Sequence, residues 1–199
     1  MNCNAIQSDI GKRAKGFWCI GAYFLQLAEL ASQELVTHGN SHAVVSNTPI
    51  DSLDYHTYTA WSDFRIGVPV LFNFLHGIEV TLKGFLLLSG NPPKNHQLTK
   101  LCSDFSTHFG GSKIANIASS YVFSTDPDFP LTKFLAANNL SIDKWYEALR
   151  YPETRGGDSF THLTLMYAGI DGVKFWSSIA EAAKTVRLAA VALAEANGY

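Results

Sequence analysis

The stretch VPVLFNFLHGIEVTLKGFLLL, Val68 to Leu88, decides how this chain is read. Leu71, Leu75, Ile78, Leu82 and Phe85 follow one another at alternating spacings of four and three. That period returns side chains to one face of an α-helix, whereas a strand would bring every second residue to the same side. The spacing predicts a helix over 68–88, halted by Ser89-Gly90-Asn91-Pro92-Pro93, where glycine and two prolines cannot continue it. His76, Glu79 and Lys83 lie at spacings of three and four on another face, so a polar strip runs beside the apolar stripe.

The same period extends outward from this element. A first helix is predicted over Lys15 to Val36, ending at the polar, glycine-containing run from Thr37 to Ser41. From His38 to Asp63 no period is sustained, and the clustered Tyr55, Tyr58 and Trp61 predict an ordered surface loop with a short helical turn. Shorter helices are predicted over Gln97 to Phe105, Ser112 to Phe123 and Asp126 to Ala137, the last with Pro130 in its first turn. Over Trp145 to Tyr151 and Phe160 to Tyr167 the period falls toward two, which predicts a small β-hairpin joined through Pro152 to Ser159. A last long helix is predicted over Gly172 to Ala196, with Trp176, Ile179, Ala183, Val186, Ala190 and Leu193 as its seam and Ala182, Ala189 and Ala192 permitting close approach. The expected fold is therefore all-α, an up-and-down helical bundle with a small hairpin inserted before the last helix.

Composition agrees with one buried core. The chain has 199 residues, 47% hydrophobic and 16% charged, and neither a repeat nor a linker divides it, so a single domain over 1–199 is expected. A net charge of -2 lacks the positive balance of a protein held to DNA by many phosphate contacts. Cys3, Cys19 and Cys102 are odd in number and widely spaced, which argues against a disulfide framework or a zinc site. Lys12, Arg13 and Lys15 precede the apolar run Phe17 to Leu30, but its helical spacing continues past any cleavage point, so it reads as amphipathic helix and not as a leader. His76, Glu79 and Lys83 interrupt the most apolar stretch, and a cytoplasmic chain without membrane association is expected.

Signatures for P-loop, dinucleotide-binding and zincin chemistry are absent. His76-Gly77-Ile78-Glu79 lacks a second ligand one turn on, so no metal and no cofactor are expected. The polar strip admits two readings. In one, Glu79 pairs with Lys83 and His76 is satisfied structurally. In the other, the strip lies in a groove and the carboxylate draws a cation from elsewhere in the chain, with Arg150 as the candidate. His38, His42, His56, His96 and His108 have no partners at recognisable spacing and read as surface or capping residues. Trp145 and Tyr146 read either as packed rings or as a platform for a base.

Taken in order, Phe74 to Leu87, Gly90, His96-Gln97-Leu98, Leu101 and then Arg150-Tyr151-Pro152-Glu153 resemble the HEPN superfamily (higher eukaryotes and prokaryotes nucleotide-binding), with Gln97 where the family carries Asp. The resemblance implies a four-helix core, homodimerisation, and one of two occupations. Some members are non-catalytic modules acting beside a nucleotidyltransferase, with nucleotide or RNA as ligand. Others are metal-independent endoribonucleases of toxin or defence type that use an Arg followed within a few residues by a His. Arg155 and His162 match that pair, six residues lying between them. The expected occupation is the non-catalytic module, with His76, Glu79, Lys83, Arg150 and Tyr151 as its ligand-binding groove, and with ribonuclease activity through Arg155 and His162 as the alternative. The alanine seam of the last helix is the expected dimer surface.

Overall fold

The computed structural model describes residues 3–90, 94–167 and 169–199. Asn91, Pro92 and Pro93, part of the expected stop signal, lie outside them. Eight α-helices follow in order: α1 (Cys3–Thr37), α2 (Ser52–Thr59), α3 (Asp63–Ser89), α4 (Leu98–Phe109), α5 (Lys113–Val122), α6 (Pro130–Ala137), α7 (Trp145–Ala148) and α8 (Gly169–Ala196). Short 3₁₀ turns cover Ile142–Lys144 and Leu163–Leu165.

Helix α3 is the axis of the bundle. Leu71, Leu75, Ile78, Leu82 and Phe85 are all fully buried, as their spacing requires. Its flank packs antiparallel on α1 at short range, because glycines remove the side chains that would hold the two backbones apart. A Cβ on Gly77 would lie 2.6 Å from the Leu25 Cγ and 3.0 Å from the Leu25 backbone nitrogen. A Cβ on Gly21 would lie 2.5 Å from the Thr81 hydroxyl. Helix α8 lies antiparallel along the other flank of α1, where the Arg187 guanidinium donates to Glu29 Oε2 from Nε at 3.1 Å and Nη2 at 2.6 Å. The most apolar 18-residue window of the Ser52–Ser89 run is 83% buried by these neighbours.

Several expected boundaries move: α4 ends at Phe109 and not Phe105, α6 begins at Pro130 and not Asp126, α8 begins at Gly169 and not Gly172, and the largest shifts are at the starts of α1 and α3. Helix α1 begins twelve residues before the expected Lys15. Helix α3 begins at Asp63, with Pro69 inside it, because Asp63 is fixed from a distance. Asn40, at positive φ just past α1, donates from Nδ2 to Asp63 Oδ2 at 2.7 Å and accepts the Asp63 backbone N–H at 2.6 Å. Asp63 Oδ1 also accepts the Tyr167 backbone N–H at 2.9 Å, so a buried carboxylate ties the end of α1, the start of α3 and the approach to α8.

The expected hairpin does not form. Trp145 and Ala148 are fully buried and Leu149 nearly so, a spacing of three and four that makes 145–148 a helical turn. From Phe160 to Tyr167 the alternation in sequence has no partner strand to pair with. There the side chain of Asn138 substitutes for a ladder: Oδ1 accepts the Thr161 N–H at 2.7 Å and Nδ2 donates to the Thr161 carbonyl at 2.9 Å. The turn itself is present between Glu153 and Ser159, whose isolated bridge is the only sheet-like pairing among the described residues. Gly157 takes φ +90° at its tip, where an L side chain would be strained.

A candidate ligand cavity beside a buried carboxylate

Glu79 is 1% exposed, and a carboxylate so placed must be neutralised by near neighbours. Lys83, one turn on, donates to Oε1 at 2.6 Å. His96 Nδ1 lies 2.8 Å from the same oxygen, and His76 Nδ1 lies 3.3 Å from Oε2. Burial by itself would raise the pKa of Glu79. The hydrogen bonds from His76 and Lys83, with the charges of Lys83 and His96, outweigh burial and hold the carboxyl below its ordinary value. Of the two readings of the strip, the Glu79–Lys83 pair is present, while the distant partner is His96 and not Arg150. His76 sits among the rings of Phe24, Phe72, Trp145 and Tyr146, at centroid distances of 4.6 to 6.4 Å, as a satisfied core residue.

His96 connects this cluster to open space. Its ring stacks on Tyr146 at 3.7 Å and 9°, and its side chain is 40% exposed. With Nδ1 committed to Glu79, Nε2 is the nitrogen left for other partners. The stack is held in place by the start of α4: Asp143 accepts the Thr99 backbone N–H at 2.9 Å and the Thr99 hydroxyl at 2.6 Å, capping α4 from the turn that precedes Tyr146. The Trp145 indole N–H, 3.2 Å from the His96 carbonyl, adds a second tie.

On the far side of Tyr146 the aromatic and cationic groups continue. Arg150 donates to the Tyr146 hydroxyl, and its guanidinium carbon lies 4.8 Å from the Tyr146 ring centroid and 5.3 Å from that of Tyr151. These groups line a cavity of about 940 Å³ with Lys144 and Arg155, and with Glu147 and Glu153 as the acidic part of the wall. Arg155 reaches it from the 154–158 turn, which is closed by the Thr154 N–H bonded to the Asp158 carbonyl at 2.8 Å. Comparison with family models, curated proteins and solved structures yields no match.

His162 is not part of this wall. Its Nε2 donates to the Ala148 carbonyl at 2.7 Å and its ring stacks on Phe134 at 5.4 Å, a packing role against α6 and α7. Arg155 and His162, paired by spacing in the sequence, therefore face different surroundings in the chain. Arg150, Tyr151 and Arg155 meet in the cavity, while His76, Glu79 and Lys83 stand behind it, with His96 between the two groups. His96 is the residue missed by spacing, since seventeen positions separate it from Glu79. Among the described residues, no group of three His, Cys, Asp or Glu side chains is arranged to hold a metal ion.

Proposed function

We propose that this chain is a HEPN-like, non-catalytic module that holds a nucleotide-type ligand in the cavity between His96 and Arg155 and acts with a partner enzyme such as a nucleotidyltransferase. The observation that carries the proposal is the lining of that cavity. Lys144, Arg150 and Arg155 supply three cations, and the exposed ring of Tyr151 supplies an aromatic face. Phosphate oxygens suit the arginines, whose planar guanidinium donates two parallel hydrogen bonds. A base suits an exposed tyrosine face, and ribose hydroxyls suit the carboxylates of Glu147 and Glu153. The nucleotidyltransferase partner rests on the resemblance of Phe74 to Leu87, His96 to Leu101 and Arg150 to Glu153.

The ribonuclease reading asks a proton-transfer group to come within ~2.6–3.2 Å of the atom that it serves. His162 Nε2 has the Ala148 carbonyl in that position, which favours the binding role. Calorimetric titration with AMP, ADP, ATP and adenosine tests the proposal. Phosphorylated ligands are expected to bind more tightly than the nucleoside, with affinity falling as salt rises and at least tenfold on Arg150→Ala. Absence of binding by all four overturns it. So does cleavage of RNA in EDTA that His162→Ala abolishes.

A further inference from the structure

Helix α1 presents large apolar side chains on the face turned away from the bundle. Ile20, Tyr23, Leu27 and Leu30 are 48%, 65%, 54% and 51% exposed, although they belong to the longest helix of the fold. Their spacings of three, four and three form a seam of the kind that packs against another helix. The opposite side of α1 is already occupied, with Leu25 and Ala28 in the core and Glu29 bonded to Arg187 of α8. A contiguous row of half-exposed Ile, Tyr and Leu is unusual for a surface that only meets water.

Two features of the seam identify its occupant. The positions 20, 23, 27 and 30 are symmetric about residue 25, so a two-fold axis at that level sets Ile20 against Leu30 and Tyr23 against Leu27 of a second copy. Charge is distributed oppositely along the same helix. Exposed Lys12, Arg13 and Lys15 lie at one end of the seam, and exposed Glu34, with His38 beside it, lies at the other. Antiparallel pairing brings each basic end to the other copy's Glu34, whereas parallel pairing sets like charges together.

We infer that the outer face of α1 is a self-association surface, and that two copies of this chain pair through it antiparallel about residue 25. Of the alanine seam of α8, Ala182 and Ala183 are buried within the chain whereas Ala192, near Leu188 and Val191, is exposed, so loss of the dimer on Leu27→Glu is the result that separates the α1 face from that of α8. The pairing is independent of the nucleotide proposal: the cavity lining comes from residue 96 and from 144–155, and the seam ends at residue 34.

Sedimentation of the whole chain from low to high micromolar concentration is expected to show a dimer that Leu27→Glu converts to monomer with unchanged helical circular dichroism. Arg13→Glu and Glu34→Arg are each expected to weaken the dimer at least tenfold, and the two together to restore it. Orientation is read with a short bifunctional maleimide in a Cys3→Ser, Cys19→Ser background. Cys102 stays silent there, being buried with its thiol pushed up to about 12 by burial and by Asp143. Gly16→Cys and Glu34→Cys proteins mixed together are expected to cross-link to one another. Glu34→Cys alone is not, since antiparallel pairing separates its two copies by about 27 Å along the axis, at ~1.5 Å per residue. A monomer at every concentration, a dimer indifferent to Leu27→Glu, cross-linking of Glu34→Cys to itself, or a Leu27-dependent association with anionic lipid vesicles in place of a dimer each overturns the inference.

Discussion

Asn40 and Asp63 hold each other through two hydrogen bonds, the amide donating to the carboxylate at 2.7 Å and accepting the Asp63 backbone N–H at 2.6 Å. Twenty-two residues that include the whole of α2 lie between them. Asn40 also takes φ 53°, a left-handed conformation that asparagine tolerates better than most residues. Asn40→Gly keeps that backbone free while deleting the side chain, and is expected to destabilise the fold by about 2–4 kcal/mol because a buried carboxylate loses a donor. Urea unfolding of Asn40→Gly beside Asn40→Ala checks this. Losses of similar size in both identify the bonds, and not the backbone angle, as the cause.

Glu79 makes the bundle sensitive to acid. Its carboxyl is held below 4.5 in the folded chain, so the unfolded chain binds the proton more readily. The stability it contributes is complete above that ordinary value and is lost as pH falls through the lower folded one. Glu79→Gln is expected to lower stability at neutral pH, by roughly 3 kcal/mol as when a partner in a buried ion pair is removed, and to flatten the decline in acid. Thermal melts of both proteins at steps from pH 7 to pH 3 check that the two curves converge in acid.

Gly16 of α1 and Gly77 of α3 have opposite expected responses. At Gly16 a new Cβ meets nothing within 4 Å, so Gly16→Ala gains helix propensity and stabilises the chain by about 0.5–1 kcal/mol. At Gly77 the same change drives a Cβ onto the backbone and side chain of Leu25, and the overlap is expected to outweigh the propensity gain by about 1–3 kcal/mol. Denaturant midpoints for the two variants are expected to move in opposite directions.

Asp143 caps α4 from forty-four residues away. Asp143→Ala removes both acceptors of Thr99 and is expected to cost about 1 kcal/mol. Because α4 begins beside His96, amide exchange is expected to accelerate at the start of α4, and nucleotide affinity to fall, while α8 stays protected.

The long helices were legible because burial on one side imposes a period that twenty residues repeat many times, as Leu71 to Phe85 do. Their C-terminal ends were legible to within one residue, at Val36, Leu88 and Ala196, but their starts were not. The mixed stretch from residue 3 to 14 continues α1, with Ala14 buried and Gly11 against the ring of Tyr199 at the far end of the sequence. The segment from Phe160 to Tyr167 alternates as a strand does, but alternation states only which sides differ. Whether a ladder forms depends on a neighbouring strand, and Asn138 stands there instead. At the site, Glu79 and Lys83 were readable because one helical turn joins them. His96 and Asp143 act across chain distances that no local period encodes.

His96 belongs at once to the wall of the cavity and to the ion cluster inside the bundle. A ligand that bonded to the exposed side of His96 would engage a ring whose other nitrogen is held by Glu79, so under the proposed binding role cavity occupancy and bundle stability are expected to be linked. A saturating occupant raises the melting temperature of the whole bundle by the logarithm of its concentration over its dissociation constant. Under the proposed binding role, small anions compared at one concentration are expected to rank by the melting temperatures they produce in the order of their affinities.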